Sequence, residues 1–126
     1  MYLLDTNIFL EILLSQDKSG DCKEILRGNI DSIFISDFSL HSFGVILFRY
    51  RKEAIFNDFI HDVLPKIEVV SLAKEAYRQL SEYRDEFNLD FDDSYQCKLA
   101  DERGLTIVNM DKDFERVKDR IEVRFV

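Results

Sequence analysis

Short apolar runs alternate along the chain with longer stretches in which apolar residues recur at helical spacing. Tyr2-Leu3-Leu4 leads directly into Asp5, and residues 1–5 read as a strand. Helices are predicted over about Asn7–Leu14 and Asp21–Arg27, then a second strand in "SIFIS", Ser32–Ser36. The next helix carries Leu40, Phe43, Leu47 and Tyr50 as its stripe. Val45, Ile46 and Phe48 fill the sides that a surface helix keeps polar, so this helix is expected to be either central or covered by a partner. A helix around Lys52–Val63 places Ile55, Phe56, Phe59 and Ile60 on one face, and Pro65 stops it before the strand Ile67–Ser71. Ala76, Leu80 and Tyr83 stripe a helix over about Ala73–Asp85. "LDFDDSYQCKLADERG" opens with acids, runs as a helix through Asp101 and closes on Gly104. A strand "LTIV", a short helix near Asp111–Val117 and a strand "EVRFV" complete the pattern. Strands alternating with helices predict an α/β fold, a three-layer sandwich with a central parallel sheet and helices on both faces.

Length and composition fit a single domain over residues 1–126, because 126 residues at 46% hydrophobic content suffice for a real core. One proline and four glycines exclude a linker-rich or disordered chain, and no repeat or boundary stands out. Cys22 and Cys97 lie far apart, without the spacing of a zinc or redox motif, which fits a reducing cytoplasm. No secretory leader or membrane-spanning run is visible, so a soluble cytoplasmic protein with no membrane association is expected.

A net charge of −8 disfavours coating of nucleic acid by bulk electrostatics. The basic residues are nevertheless grouped: Lys112, Arg116, Lys118, Arg120 and Arg124 in the last segment, and Arg49, Arg51 and Lys52 in the middle. Each group is either a phosphate-facing patch or a solvated face.

The acids carry more information. In open α/β sheets ligands bind beyond the carboxyl ends of the strands, where strand order reverses. Asp5 and Asp111 each follow a predicted strand, and Asp93 joins them if its helix starts at the same edge. Carboxylates brought together repel unless a cation neutralises them, and an all-oxygen cluster suits Mg²⁺ or Mn²⁺ better than zinc or copper. Singly, each acid has a second reading: Asp5 and Asp93 as helix N-caps, Asp111 and Asp113 as a turn followed by a cap. A phospho-accepting receiver needs an acid pair after its first strand, a haloacid-dehalogenase site needs Asp-x-Asp where Asn7 stands, and a nucleotide-binding fold needs a glycine-rich first loop. None of the three fits.

Taken together, "LLDTNIF", "DDSYQCKLADERGLTIV" and "NMDKDF" resemble the PIN-domain family, metal-dependent ribonucleases that include the VapC-type toxins of toxin–antitoxin pairs. The resemblance runs through nearly the whole chain, and its most specific part is Asp93–Phe114. It implies Asp5, Asp93 and Asp111 as ligands of Mg²⁺ or Mn²⁺, with Asp113 acting beside them as a catalytic acid. Asp93 is preferred to its neighbours because Ser94, a small residue, follows it; Asp92 is then the better N-cap and Asp90 the solvent-facing acid. The implied activity is hydrolysis of single-stranded RNA, with Lys112 and Arg116 on phosphate; the implied partners are a protein antitoxin and a second copy of the chain, through Phe43–Tyr50 and "AIFNDFI". Two positions depart from the family pattern. Ser42 stands where the family carries a Glu, with Asp37 the nearest acid, and Asn109 stands where Thr or Ser is usual. The loss of that Glu opens a second reading, a weak or inactive PIN domain that binds RNA or protein. His41, beside Ser42, reads either as a substitute base or as a packed residue of the helix.

Overall fold

In a computed structural model describing residues 1–126, five short strands are separated by six α-helices and shorter 3-10 turns. The strands are β1 (Tyr2–Leu4), β2 (Ile33–Ser36), β3 (Glu68–Val70), β4 (Thr106–Asn109) and β5 (Val123–Phe125). The helices are α1 (Thr6–Leu13), α2 (Ser19–Gly28), α3 (Asp37–Arg49), α4 (Glu53–Asp62), α5 (Leu80–Phe87) and α6 (Phe91–Arg103). All strand pairs are parallel, in the order β3-β2-β1-β4-β5. Tyr2 stands opposite Ile33 on one side and Thr106 on the other, which puts the first strand of the chain at the centre of the sheet.

The apolar runs explain this position. Side chains alternate across a strand, so a central strand covered on both faces must be apolar at every position. Leu3 and Leu4 are both fully buried and point into different cores. Leu3 joins Val70, Leu80, Tyr83, Leu99, Ile107 and Phe114 under α5 and α6. Leu4 joins Ile8, Phe9, Phe43, Leu47, Phe59 and Val108 under α1 to α4, where Phe43 and Phe59 meet edge to face at 5.0 Å. The expected three-layer α/β sandwich is therefore present, with one core on each face of a parallel sheet.

Three details differ from the sequence-based expectation. The helix expected over Ala73–Asp85 begins as a 3-10 run, Lys74–Gln79, and becomes α-helical only at Leu80; its stripe of Ala76, Leu80 and Tyr83 is buried as expected. The segment after Asp111 is also 3-10, Lys112–Val117. Helix α3 is not central: Val45, Phe48 and Tyr50 are 42%, 53% and 65% exposed, while Phe43 and Leu47 alone reach the core from that stretch. Phe59, by contrast, is 3% exposed and belongs to the interior. Gly104 ends α6 at φ +64°, a left-handed conformation that glycine adopts without cost, and its N–H reaches the Ala100 carbonyl. No helix is long and apolar enough to cross a membrane.

Candidate metal centre

Strand order reverses between β1 and β4, and the chain leaving their carboxyl ends carries the acids. The Asp5 N–H still bonds to the Val108 carbonyl at 2.9 Å, so Asp5 is the last rung of the β1–β4 pairing and sits at the mouth of the crevice. Asp111 follows β4 by two residues, and its Oδ1 accepts the Asp113 N–H at 2.9 Å. That cap fixes the turn and brings Asp113 beside it. From the other side α6 starts at the same edge, capped by Asp90, whose Oδ1 accepts the Asp93 N–H at 2.9 Å. Capping by Asp90 corrects two expectations, because Asp92 is not the cap and Asp90 is not merely solvent-facing. Asp5 stands at the N-cap position of α1 without a side-chain capping bond, and Asp93 lies inside the first turn of α6, so neither carboxylate is spent as a cap.

One carboxylate oxygen from each of Asp93, Asp111 and Asp113 lies within 4.8 Å of the others, a span that one cation can bridge. Asp5 stands outside this trio, 8% exposed, with Oδ1 accepting from Gln96 Nε2 at 3.0 Å. Burial and repulsion together favour the protonated forms. Burial, then the charges of Asp90, Asp5, Asp111 and Asp113, push the Asp93 carboxyl up to about 7. Burial also raises Asp5, against the hydrogen bond from Gln96, with the charge of Asp111 adding to the rise.

A groove of about 470 Å³ opens beside Asp5 and Asp93. Thr6, Asn7, His41, Ser42 and Asp92 give it polar lining, and Leu10, Phe38, Val45 and Ile46 give it an apolar wall. Ser42 thus lies on the groove but brings no charge to it. His41 is exposed and borders the groove, so it is not a packed residue of the helix. Asp37 does not substitute for the missing acid, since its Oδ1 is taken by the Tyr95 hydroxyl and the Phe38 N–H.

Sequence reasoning overlooked the polar set behind Asp5. Gln96 is 1% exposed and also donates to Ser39 Oγ at 2.9 Å, and Ser39 meets Thr6 Oγ1 at 2.8 Å. The available signal was spacing: Gln96 is three residues after Asp93, hence on the same side of α6. Asn109 is fully buried and neither atom of its amide has a protein partner; Asn7 Oδ1 and Gln96 Oε1 are likewise buried and unpaired. The basic groups divide. Arg116 pairs with Asp113 at 3.2 Å and with the Asn88 carbonyl at 3.0 Å, and Arg120 with Glu86, Asp101 and the Tyr83 ring. Lys112, Arg49, Arg51 and Lys52 are exposed.

The family model described as PIN domain matches residues 2–120. The chain belongs to the PIN-domain family. Among solved structures, this PIN domain is similar to VapBC from Salmonella typhimurium bound to DNA, at 23% identity and TM-score 0.76, covering 98% of this chain and 96% of that one. It is similar also to VapBC2 from Rickettsia felis bound to a DNA fragment from the promoter, at 16% identity and TM-score 0.78 over 98% and 97%. A third likeness is to VapC20 of Mycobacterium tuberculosis, a toxin that cleaves the sarcin-ricin loop, at 15% identity and TM-score 0.75 over 91% and 93%. Comparison with curated proteins finds no match. At these identities the solved structures speak for the fold, and the chemistry must be argued from this PIN domain's own residues.

Proposed function

We propose that the protein is a metal-dependent endoribonuclease that cleaves single-stranded RNA, and that it is the toxin of a toxin–antitoxin pair. The observation that carries this reading is the meeting of Asp93, Asp111 and Asp113 within 4.8 Å at the carboxyl edge of a parallel sheet, with buried Asp5 at the groove beside them.

The donor set fits a hard divalent cation. It is all oxygen, burial and then the neighbouring acids push Asp93 up to about 7, and the one cation paired with it, Arg116, sits on Asp113 alone. Asp93, Asp111 and Asp113 would hold Mg²⁺ or Mn²⁺ between them, with Asp5 as a further ligand from the groove side. When bound, such an ion supplies Lewis acidity toward the phosphodiester and an attacking water.

The chain's own residues do the remainder. Asp113 keeps Arg116 at the edge of the site, where a guanidinium faces incoming phosphate. Lys112, unpaired and exposed beside the acids, adds a second charge for the backbone of the substrate. The apolar wall of Leu10, Phe38, Val45 and Ile46 offers a surface for bases of an extended strand, which supports single-stranded rather than duplex RNA.

Likeness to VapBC complexes supports a protein antitoxin as partner. The exposed Val45 and Phe48 of α3, with Tyr50 just after it, support a homodimer. Two buried free cysteines support a cytoplasmic setting. The second reading, a PIN domain that binds RNA or protein without cutting, is favoured by one observation: the groove wall carries neutral Ser42 where the family has a Glu.

The deciding experiment incubates a mixed single-stranded RNA with purified protein and Mn²⁺ or Mg²⁺, beside EDTA and an Asp111→Asn control. Cutting that needs the ion and the carboxylate is the expected result. Folded protein that retains RNA but leaves it intact with either ion would establish the binding module instead.

A further inference from the structure

We propose that Gln96 is a positioning residue of the acidic centre: its amide holds the Asp5 carboxylate at the groove and orders the hydroxyl chain that ends at Thr6. The inference rests on the reading of Asp5 as a ligand.

Gln96 is buried on α6, and both protons of its amide are committed, one to Asp5 Oδ1 at 3.0 Å and one to Ser39 Oγ at 2.9 Å. An ionised Asp5 selects this orientation of the amide. Turned over, it would set its carbonyl oxygen against an acceptor carboxylate at the same distance, with nothing to share between them. Gln96 is the side chain that donates to Asp5, beside the backbone N–H of Thr6, so its bond to Oδ1 is the long-range restraint on where a buried carboxylate points.

The second proton of the amide has a further effect through proton bookkeeping. Ser39 Oγ accepts from Gln96 and also from the Ser36 hydroxyl at 3.1 Å, while Ser36 Oγ accepts the Ser39 N–H at 2.9 Å in capping α3. With both lone pairs of Ser39 filled, its own proton goes to Thr6 Oγ1 at 2.8 Å. Thr6 borders the groove, and its hydroxyl proton is left for an acceptor there, such as a phosphate oxygen. A single glutamine therefore sets both the position of a ligand and the polarity of a donor. It also joins the starts of α1 and α3 to α6 behind the site.

The test measures Mn²⁺ binding by calorimetry for wild type, Gln96→Met and Leu99→Val. Methionine keeps the shape and removes the donor; Leu99→Val perturbs the core on the same helix without touching the hydrogen bond to Asp5. Gln96→Met is expected to raise the Mn²⁺ dissociation constant by roughly tenfold or more, the usual scale for loss of a group that orients a ligand. Leu99→Val is expected to lower the melting temperature and leave that constant in place. Equal affinities for wild type and Gln96→Met, or an equal weakening in Leu99→Val, would overturn the proposal. If wild type itself binds no Mn²⁺, the reading of Asp5 as a ligand falls, and a metal-free crystal structure of Gln96→Met decides the positioning role: an Asp5 carboxylate turned from its wild-type rotamer upholds it, and an unmoved one refutes it.

Discussion

The Tyr95 hydroxyl donates to Asp37 Oδ1 at 2.6 Å and accepts the Leu72 N–H at 3.0 Å. A buried ring on α6 thereby pins the first turn of α3 and the end of the strand-three loop together, and turns Asp37 away from the groove. Removing the hydroxyl in Tyr95→Phe strands the Leu72 N–H and breaks a bond to a charged acceptor. A loss of about 1–3 kcal/mol is expected, read from urea unfolding. Asp37→Asn keeps an acceptor and should lose less.

Stability should depend on pH through Asp93. Its proton is held up to about pH 7 in the folded chain, against the ordinary value of 3.8 in the unfolded one. Between those values the folded state holds more protons, so the contribution is complete at the acidic end and disappears as pH rises through about 7. The metal-free protein is expected to gain melting temperature from Asp93→Asn near pH 8 and to gain nothing from it near pH 4. Mn²⁺ should stabilise wild type more at the alkaline end. A Mn²⁺ effect that is flat across this range would contradict the placement of the ion beside Asp93.

Ser42→Glu returns a carboxylate to the groove next to Asp5 and Asp93. Mn²⁺ affinity should increase severalfold, while the metal-free protein loses stability at alkaline pH because a further negative charge joins the cluster. Calorimetry and thermal melts with and without EDTA check the two directions. A variant that changes neither would mean that position 42 does not face the ion.

Phe48 and Phe59 should respond in opposite ways to the same change. Phe48 is exposed on α3, whereas Phe59 packs against Phe9 and Phe43 at 5.7 and 5.0 Å. Phe48→Glu is expected to keep the fold and halve the mass seen by light scattering. Phe59→Glu is expected to unfold the chain, as a charge placed in a core costs several kcal/mol. An unchanged mass for Phe48→Glu would remove α3 from the proposed dimer contact.

How much of this was legible in the sequence depended on whether a feature is repeated or singular. Strand positions were legible because Leu3, Leu4, Ile33, Ile35, Ile107 and Val108 must be apolar consecutively or alternately to serve two cores. The stop at Gly104 was legible because left-handed backbone selects glycine. The four acids stood out by position, after strands or at a helix start. The cap of α6 did not, since Asp90, Asp92 and Asp93 are chemically equal and only the start of the helix separates their roles. Gln96 was hidden for a similar reason: a lone amide in a helix looks solvent-exposed until the fold buries it. The exposure of α3 was obscured by its composition, because apolar residues on every side look the same whether neighbours cover them or not.

The central place of β1 has a consequence for the order of assembly. Asp5 and the acids Asp111 and Asp113 are about a hundred residues apart along the chain, yet Leu4 pairs with Val108 beside them. A chain cut before Leu105 would keep Asp5 and all six helices but lose β4, so the acids could not meet. The cluster is thus a product of the longest-range pairing in the sheet and arises only once that pairing has closed.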